Sequence, residues 1–175
     1  MKNQAPYPSL LTVLFAVFLI VSAFFMRQVL ELYISFLGRS GVIWSIWAAF
    51  FVMAVVIFWL FKKQVLKFNC KGTLVFVAGL VYAASFDIAE ERVHLIKYGT
   101  LGFLFSRDMS PWYSRNTPLI AVMFTLAVAA IDEIFQHFLP YRVGDIRDVM
   151  FGGIGGLWGS LIYCFFKTNS RNSIC

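Results

Sequence analysis

In the stretch AAIDEIFQHFLPYRVGDIRD at residues 129–148, two carboxylates stand side by side in an apolar helical run. At about 100° per residue, Asp132, Glu133, Gln136 and His137 share one arc of roughly 140°, and Ile131, Ile134, Phe135, Phe138 and Leu139 fill the opposite side. Upstream, Glu91, His94, Tyr98 and Gly102 share a second helical face, with Glu90 and Lys97 at its edge. Asp148 opens a last apolar segment whose face continues through Gly152, Gly155 and Gly159. Arg142 and Arg147 stand in the short connection before it.

These residue types suit acid–base chemistry. A charge at mid-helix in a bilayer costs on the order of 3 kcal/mol or more in insertion assays, so it persists only when paired, hydrated or neutralised. Two adjacent carboxyls in a partly desolvated cleft resist joint ionisation, so one of Asp132 and Glu133 would hold a proton and serve as acid or base beside His94. Glu91, Asp148 and Gln136 would complete and orient that group. Arg142 and Arg147 would hold a phosphate or carboxylate, with Tyr98 and His137 lining the binding site. No Ser or Cys nucleophile stands near the arc, so hydrolysis or transfer would use activated water or a substrate hydroxyl.

Glu91, His94, Glu133, His137 and Asp148 also offer the ligand types of a divalent metal site. This is the lesser alternative, because only one Glu-x-x-His is present and the matching place in the later block holds Gln136. The plainer explanation of all these groups is a buried ionic network that fixes helix register. Lys97 fits a snorkelling residue or a partner for Glu90 or an external carboxylate.

The elements that must position these side chains follow from composition. The chain has 175 residues, 60% hydrophobic and 14% charged, with 20 Phe, which lies outside the range of soluble domains. Six apolar segments can be marked: Leu10 to Met26, Val42 to Phe61, Thr73 to Phe86, Val93 to Phe105, Leu119 to Leu139 and Val149 to Phe166. The expected fold is all-α, a polytopic membrane helix bundle of six transmembrane helices, or five plus a re-entrant segment, in a single domain over residues 1–175. The first segment is taken as a retained helix rather than a cleaved signal.

Counting Lys and Arg in alternate loops favours both termini in the cytoplasm. That topology puts nine inside (Lys2, Lys62, Lys63, Lys67, Lys71, Arg107, Arg115, Lys167, Arg171) and five outside (Arg27, Arg39, Arg92, Arg142, Arg147). The polar arcs then face away from the cytoplasm. The net charge of +6 is spread over short loops rather than gathered into a stripe, which fits lipid headgroups and argues against nucleic acid. The three cysteines show neither a disulfide framework nor metal spacing.

The string IDEIFQHFLPYRVGDIRDVMFGGIGGLWG at 131–159 resembles the signature of the VanZ-like membrane proteins. Asp-Glu-x-x-Gln, Pro-x-Arg, an Asp six residues after the Arg and spaced glycines stand here as Asp132, Glu133, Gln136, Pro140, Arg142, Asp148, Gly155 and Gly159. The block at 90–105, EERVHLIKYGTLGFLF, is similar to that family's Glu-x-x-His with a Tyr four residues on, at Glu91, His94 and Tyr98. Two positions depart from the pattern: Gly152, where the family often has Asn, and Lys97, where it often has an acidic or apolar residue. The resemblance implies a bacterial cytoplasmic-membrane protein. It also implies a link to low-level resistance to the glycopeptide teicoplanin, without a settled reaction. Membrane lipids or a lipid-linked envelope precursor are the expected partners, with a glycopeptide antibiotic as a further one. A catalytic role as a hydrolase or transferase and a non-catalytic role in capturing an amphiphile or organising the envelope both fit.

Overall fold

The computed structural model describes residues 7–62, 70–85, 89–139 and 145–168, and within these the side chains of Met26, Arg27, Leu30, Arg39, most residues from 42 to 62, Ala84, Ala89, Glu90, Glu91, Ser114 and Thr168 lie outside the description. The described chain is all-α, with no strand. Five α-helices follow one another: α1 (Leu10–Lys62), α2 (Cys70–Ala84), α3 (Ala89–Tyr113), α4 (Thr117–His137) and α5 (Ile146–Thr168). A single 3-10 turn at Ser114–Asn116 joins α3 to α4.

The first two expected spans differ from the structure. The connection anticipated between Met26 and Val42 is helical, broken only at Gly38, which adopts φ 68° and ψ 167°. Glu31, Leu32 and their neighbours carry no Gly or Pro before that point, so the helix propagates until a residue without Cβ allows the left-handed turn. Helix α3 likewise runs on past Phe105 to Tyr113, because Ser106, Asp108 and Ser110 find partners on other helices instead of needing water. Pro111 falls in its last turn, close to the stop that its ring imposes.

Two of the six expected spans, among the described residues, are long and apolar enough to cross a membrane: Thr117–His137, with mean hydropathy 1.9, and Ile146–Lys167, with 1.6. Leu10–Phe25 and Cys70–Ala83 are apolar but shorter.

Helices α3, α4 and α5 form the centre. The closest approach is between α3 and α5, where glycine meets glycine: a Cβ on Gly159 would run into the carbonyl of Gly99, and one on Gly102 into the backbone of Gly156. Small residues let backbones touch where lipid supplies no hydrophobic drive for association. Helix α4 joins through Ala129, packed at Gly152, and Thr125, packed at Gly156. Leu101, Tyr98, Val128 and Ala129 are buried with Ala16 and Leu19 of α1, which closes the core on that side.

Candidate functional site

Each of the three central helices brings one polar face to the same place. On α3, Lys97 and Tyr98 follow His94 by about one turn. On α4, Asp132 and Glu133 are followed one turn later by Gln136. On α5, Asp148 sits in the first turn. The start of α5 is fixed by Asp145, whose Oδ1 accepts the Arg147 amide at 2.9 Å, an N-terminal cap.

Asp132 is wholly buried, 0% exposed. Its Oδ2 accepts Tyr98 Oη–H at 2.8 Å and Lys97 Nζ at 3.0 Å, while Oδ1 takes no hydrogen bond. The Lys97 ammonium therefore neutralises Asp132 directly. Such a pair, held with a second donor, is the arrangement in which a buried charge is tolerated.

Glu133 lies on the other side of the same turn, 8% exposed. Its Oε2 accepts the Asp145 amide at 2.9 Å, and its Oε1 takes no hydrogen bond. Oε1 faces His94 Nε2 at 3.9 Å, and His94 Nε2 faces Asp148 Oδ2 at 3.7 Å. These separations exceed hydrogen-bond length, yet they bring an imidazole and two carboxylates into one small volume. One ligand atom from each of His94, Glu133 and Asp148 lies within 4.8 Å of the others.

Of the residues expected at the site, the structure brings together His94, Tyr98, Asp132, Glu133 and Asp148, with Gln136 buried one turn beyond on α4. It does not bring in His137, which is exposed and sets its ring edge-on to Phe138 at 6.1 Å. Five residues after Asp132, the helix has turned that imidazole out of the cluster. Arg147 is exposed as well and contributes its backbone amide to Asp145. Arg142 lies outside the described residues, and so does the side chain of Glu91.

Two residues enter that sequence reasoning left aside. Lys97, expected to snorkel or to pair elsewhere, is the counter-ion of Asp132; its place at the edge of the His94 and Tyr98 face was the available signal. Asp145 holds Glu133 through its backbone amide, for which the side-chain pattern offers no signal. Leu95, next in sequence to His94, lines with Ile154, Leu157, Trp158 and Val75 an apolar groove of about 290 Å³ between α2, α3 and α5, and none of the cluster residues lines it.

The cluster can hold or move protons at Glu133 and His94, bind a cation between them, or receive a polar headgroup whose chain lies along the groove. A family model described as VanZ/LLP1 matches residues 9–167. No curated protein and no solved structure matches the chain.

Proposed function

The chain belongs to the VanZ/LLP1 family, whose members are membrane-associated, and from that premise we propose an intramembrane site that acts on a lipid-linked component of the cell envelope. The carrying observation is Glu133, a buried carboxylate with one oxygen pinned by the Asp145 amide and the other, without a hydrogen bond, turned toward His94. Buried polar atoms are nearly always satisfied in native structures, and the exceptions concentrate where a ligand or a reaction completes them. In this reading the site opens to the extracytoplasmic leaflet of a bacterial inner membrane, the chain crosses that membrane several times, and both termini are cytoplasmic.

Glu133 and His94 supply base and acid to a substrate hydroxyl or water. Asp132, paired with Lys97 and hydrogen-bonded by Tyr98, shapes the field at the site. Arg147, exposed in the first turn of α5, and Arg142 are the cations assigned in this reading to a phosphate or carboxylate of the headgroup. The apolar groove lined by Leu95 is offered in this reading to the hydrocarbon part of an amphiphile. By family likeness, altered tolerance of a glycopeptide such as teicoplanin is the expected phenotype.

The pairing of Asp132 with Lys97 favours a second reading, capture without turnover, in which the cluster is an ionic cup for a headgroup or an amphiphilic antibiotic. Total lipids from cells lacking the protein, expressing it, or expressing Glu133→Gln or His94→Ala at matched membrane level separate the two. A lipid species whose abundance changes with the wild-type protein and with neither variant supports turnover. Identical lipids in all four, with glycopeptide tolerance surviving both substitutions, rule it out and leave a binding or structural network.

A further inference from the structure

The geometry points to a binding site for one divalent transition-metal ion between α3, α4 and α5, with His94, Glu133 and Asp148 as its protein ligands. Each helix contributes one ligand, and the three donor atoms lie within 4.8 Å of one another. The two measured edges, 3.9 Å from His94 Nε2 to Glu133 Oε1 and 3.7 Å from His94 Nε2 to Asp148 Oδ2, are too long for hydrogen bonds. Donors around one ion at bond lengths of about 2.0–2.2 Å stand about 3.0–3.6 Å apart, so the site closes on a metal with movements of about an ångström.

Glu133 supplies the second, independent observation. Its Oε1 is buried, takes no hydrogen bond and is aimed at the cluster, while the Asp145 amide holds Oε2 at 2.9 Å. An outer hydrogen bond that fixes one oxygen and presents the other is how proteins orient ligating carboxylates. Glu133 and Asp148 both stand against the His94 imidazole, with side chains only 9% and 18% exposed. One nitrogen and two oxygen donors suit Zn²⁺ or Mn²⁺ better than the all-oxygen shells of Mg²⁺ and Ca²⁺.

Three protein ligands leave a coordination position open, the pattern of sites that bind water or substrate. What such an ion would do for a lipid-linked substrate rests on the function proposed above but takes the place of the acid–base role given there to His94 and Glu133: with both engaged as ligands, the ion would activate water in a site with no serine or cysteine nucleophile. The metal site itself does not depend on that function.

The test uses the full chain purified in detergent, stripped with a chelator and dialysed. It is then titrated with ZnCl₂ and separately with MnCl₂, and retained metal is measured after gel filtration together with the thermal unfolding midpoint. The expected result is about one ion per chain, with a midpoint that rises because the ion binds only the folded state. His94→Ala, Glu133→Gln and Asp148→Asn should each lower retained metal at least about tenfold and abolish the rise. His137→Ala should change neither. Asp148→Asn is the deciding variant, since Asp148 is the most exposed of the three and its loss disturbs the bundle least. Co²⁺ loading adds a visible absorption band that this variant should lose. A wild-type chain that retains neither metal overturns the site, and so does metal that survives in Asp148→Asn with the same spectrum. Because retention is read without substrate, that failure leaves the lipid reading standing, and unchanged lipids leave the metal site standing.

Discussion

Near the C-terminal end of α3, Asp108 receives the Ser9 amide at 2.8 Å and the Thr12 hydroxyl at 2.6 Å on one oxygen, and Arg107 at 2.9 and 3.0 Å on the other. Nearby, Ser106 bonds to Ser160, Ser110 to Tyr163, and Lys167 to Ser110. About four turns back along the same helix, the carboxylates around His94 include the wholly buried Asp132 and are less complete: Asp132 Oδ1 and Glu133 Oε1 take no hydrogen bond. Around Asp108 the polar side chains satisfy one another and tie α1 and α5 to α3. The other keeps acceptors unfilled in a buried place, which costs stability and is maintained where something else fills them. A polar cluster in an apolar bundle is therefore diagnosed by its satisfaction, not by its charge count.

The largest test of that contrast is Lys97→Met. It strips the buried Asp132 of its cation and should lower stability by about 3–5 kcal/mol, seen as an early thermal transition in detergent. The double variant Lys97→Met/Asp132→Asn should recover most of the loss, because it also removes the charge that needs pairing. If Lys97→Met alone melts like the wild type, the site end is not held by that ion pair.

Gly159→Ala comes next and bears on both ends, since its Cβ would meet the Gly99 carbonyl and push α5 from α3. About 1–3 kcal/mol of destabilisation is expected, with His94 and Asp148 drawn apart and metal retention falling in parallel. Unaltered melting with unaltered retention would show that the helices have slack there.

The smallest effect belongs to the completed end. Asp108→Asn should cost about 1–2 kcal/mol, on the scale of charge-assisted hydrogen bonds, while metal retention and lipid profile stay as in the wild type. Asp108 lies beyond the apolar stretch that ends at Phe105. Its partial burial pulls its pKa upward, but the hydrogen bonds from Ser9, Thr12 and Arg107 outweigh this and hold it below the usual carboxylate range. A carboxyl depressed in the folded state stabilises at pH above its unfolded value, and the gain is lost as pH falls through the folded one. The wild type should thus lose part of its margin over Asp108→Asn on acidification, read as converging thermal midpoints. A difference that is flat with pH would mean that Asp108 is not ionised in the fold.

Much of the site was legible because helical period alone groups residues on a face. His94 with Tyr98, and Asp132 with Glu133 and Gln136, fall together at 100° per residue, and the structure buries all five. The same arithmetic placed His137 on that arc too, and it is exposed: the arc was wider than the cleft, and only the position of α5 decides which edge of it is covered. Lys97 was visible as an edge residue, but its partner lies 35 positions away on another helix, a pairing that no local period contains. The break at Gly38 shows a different limit. The drop in apolar content after Met26 reads as a loop, but polar residues without Gly or Pro continue a helix as readily as apolar ones.

The sequence by itself determined an all-α chain, the faces of its central helices, and the glycines along α5 that let α3 come close, since these depend on residue type and a fixed local rotation. Tertiary structure alone decided that Glu133 and Asp148 meet across His94, that Lys97 answers Asp132, and that Asp108 is complete while Glu133 is not. Those outcomes depend on the relative depth and rotation of separate helices, and packing sets both.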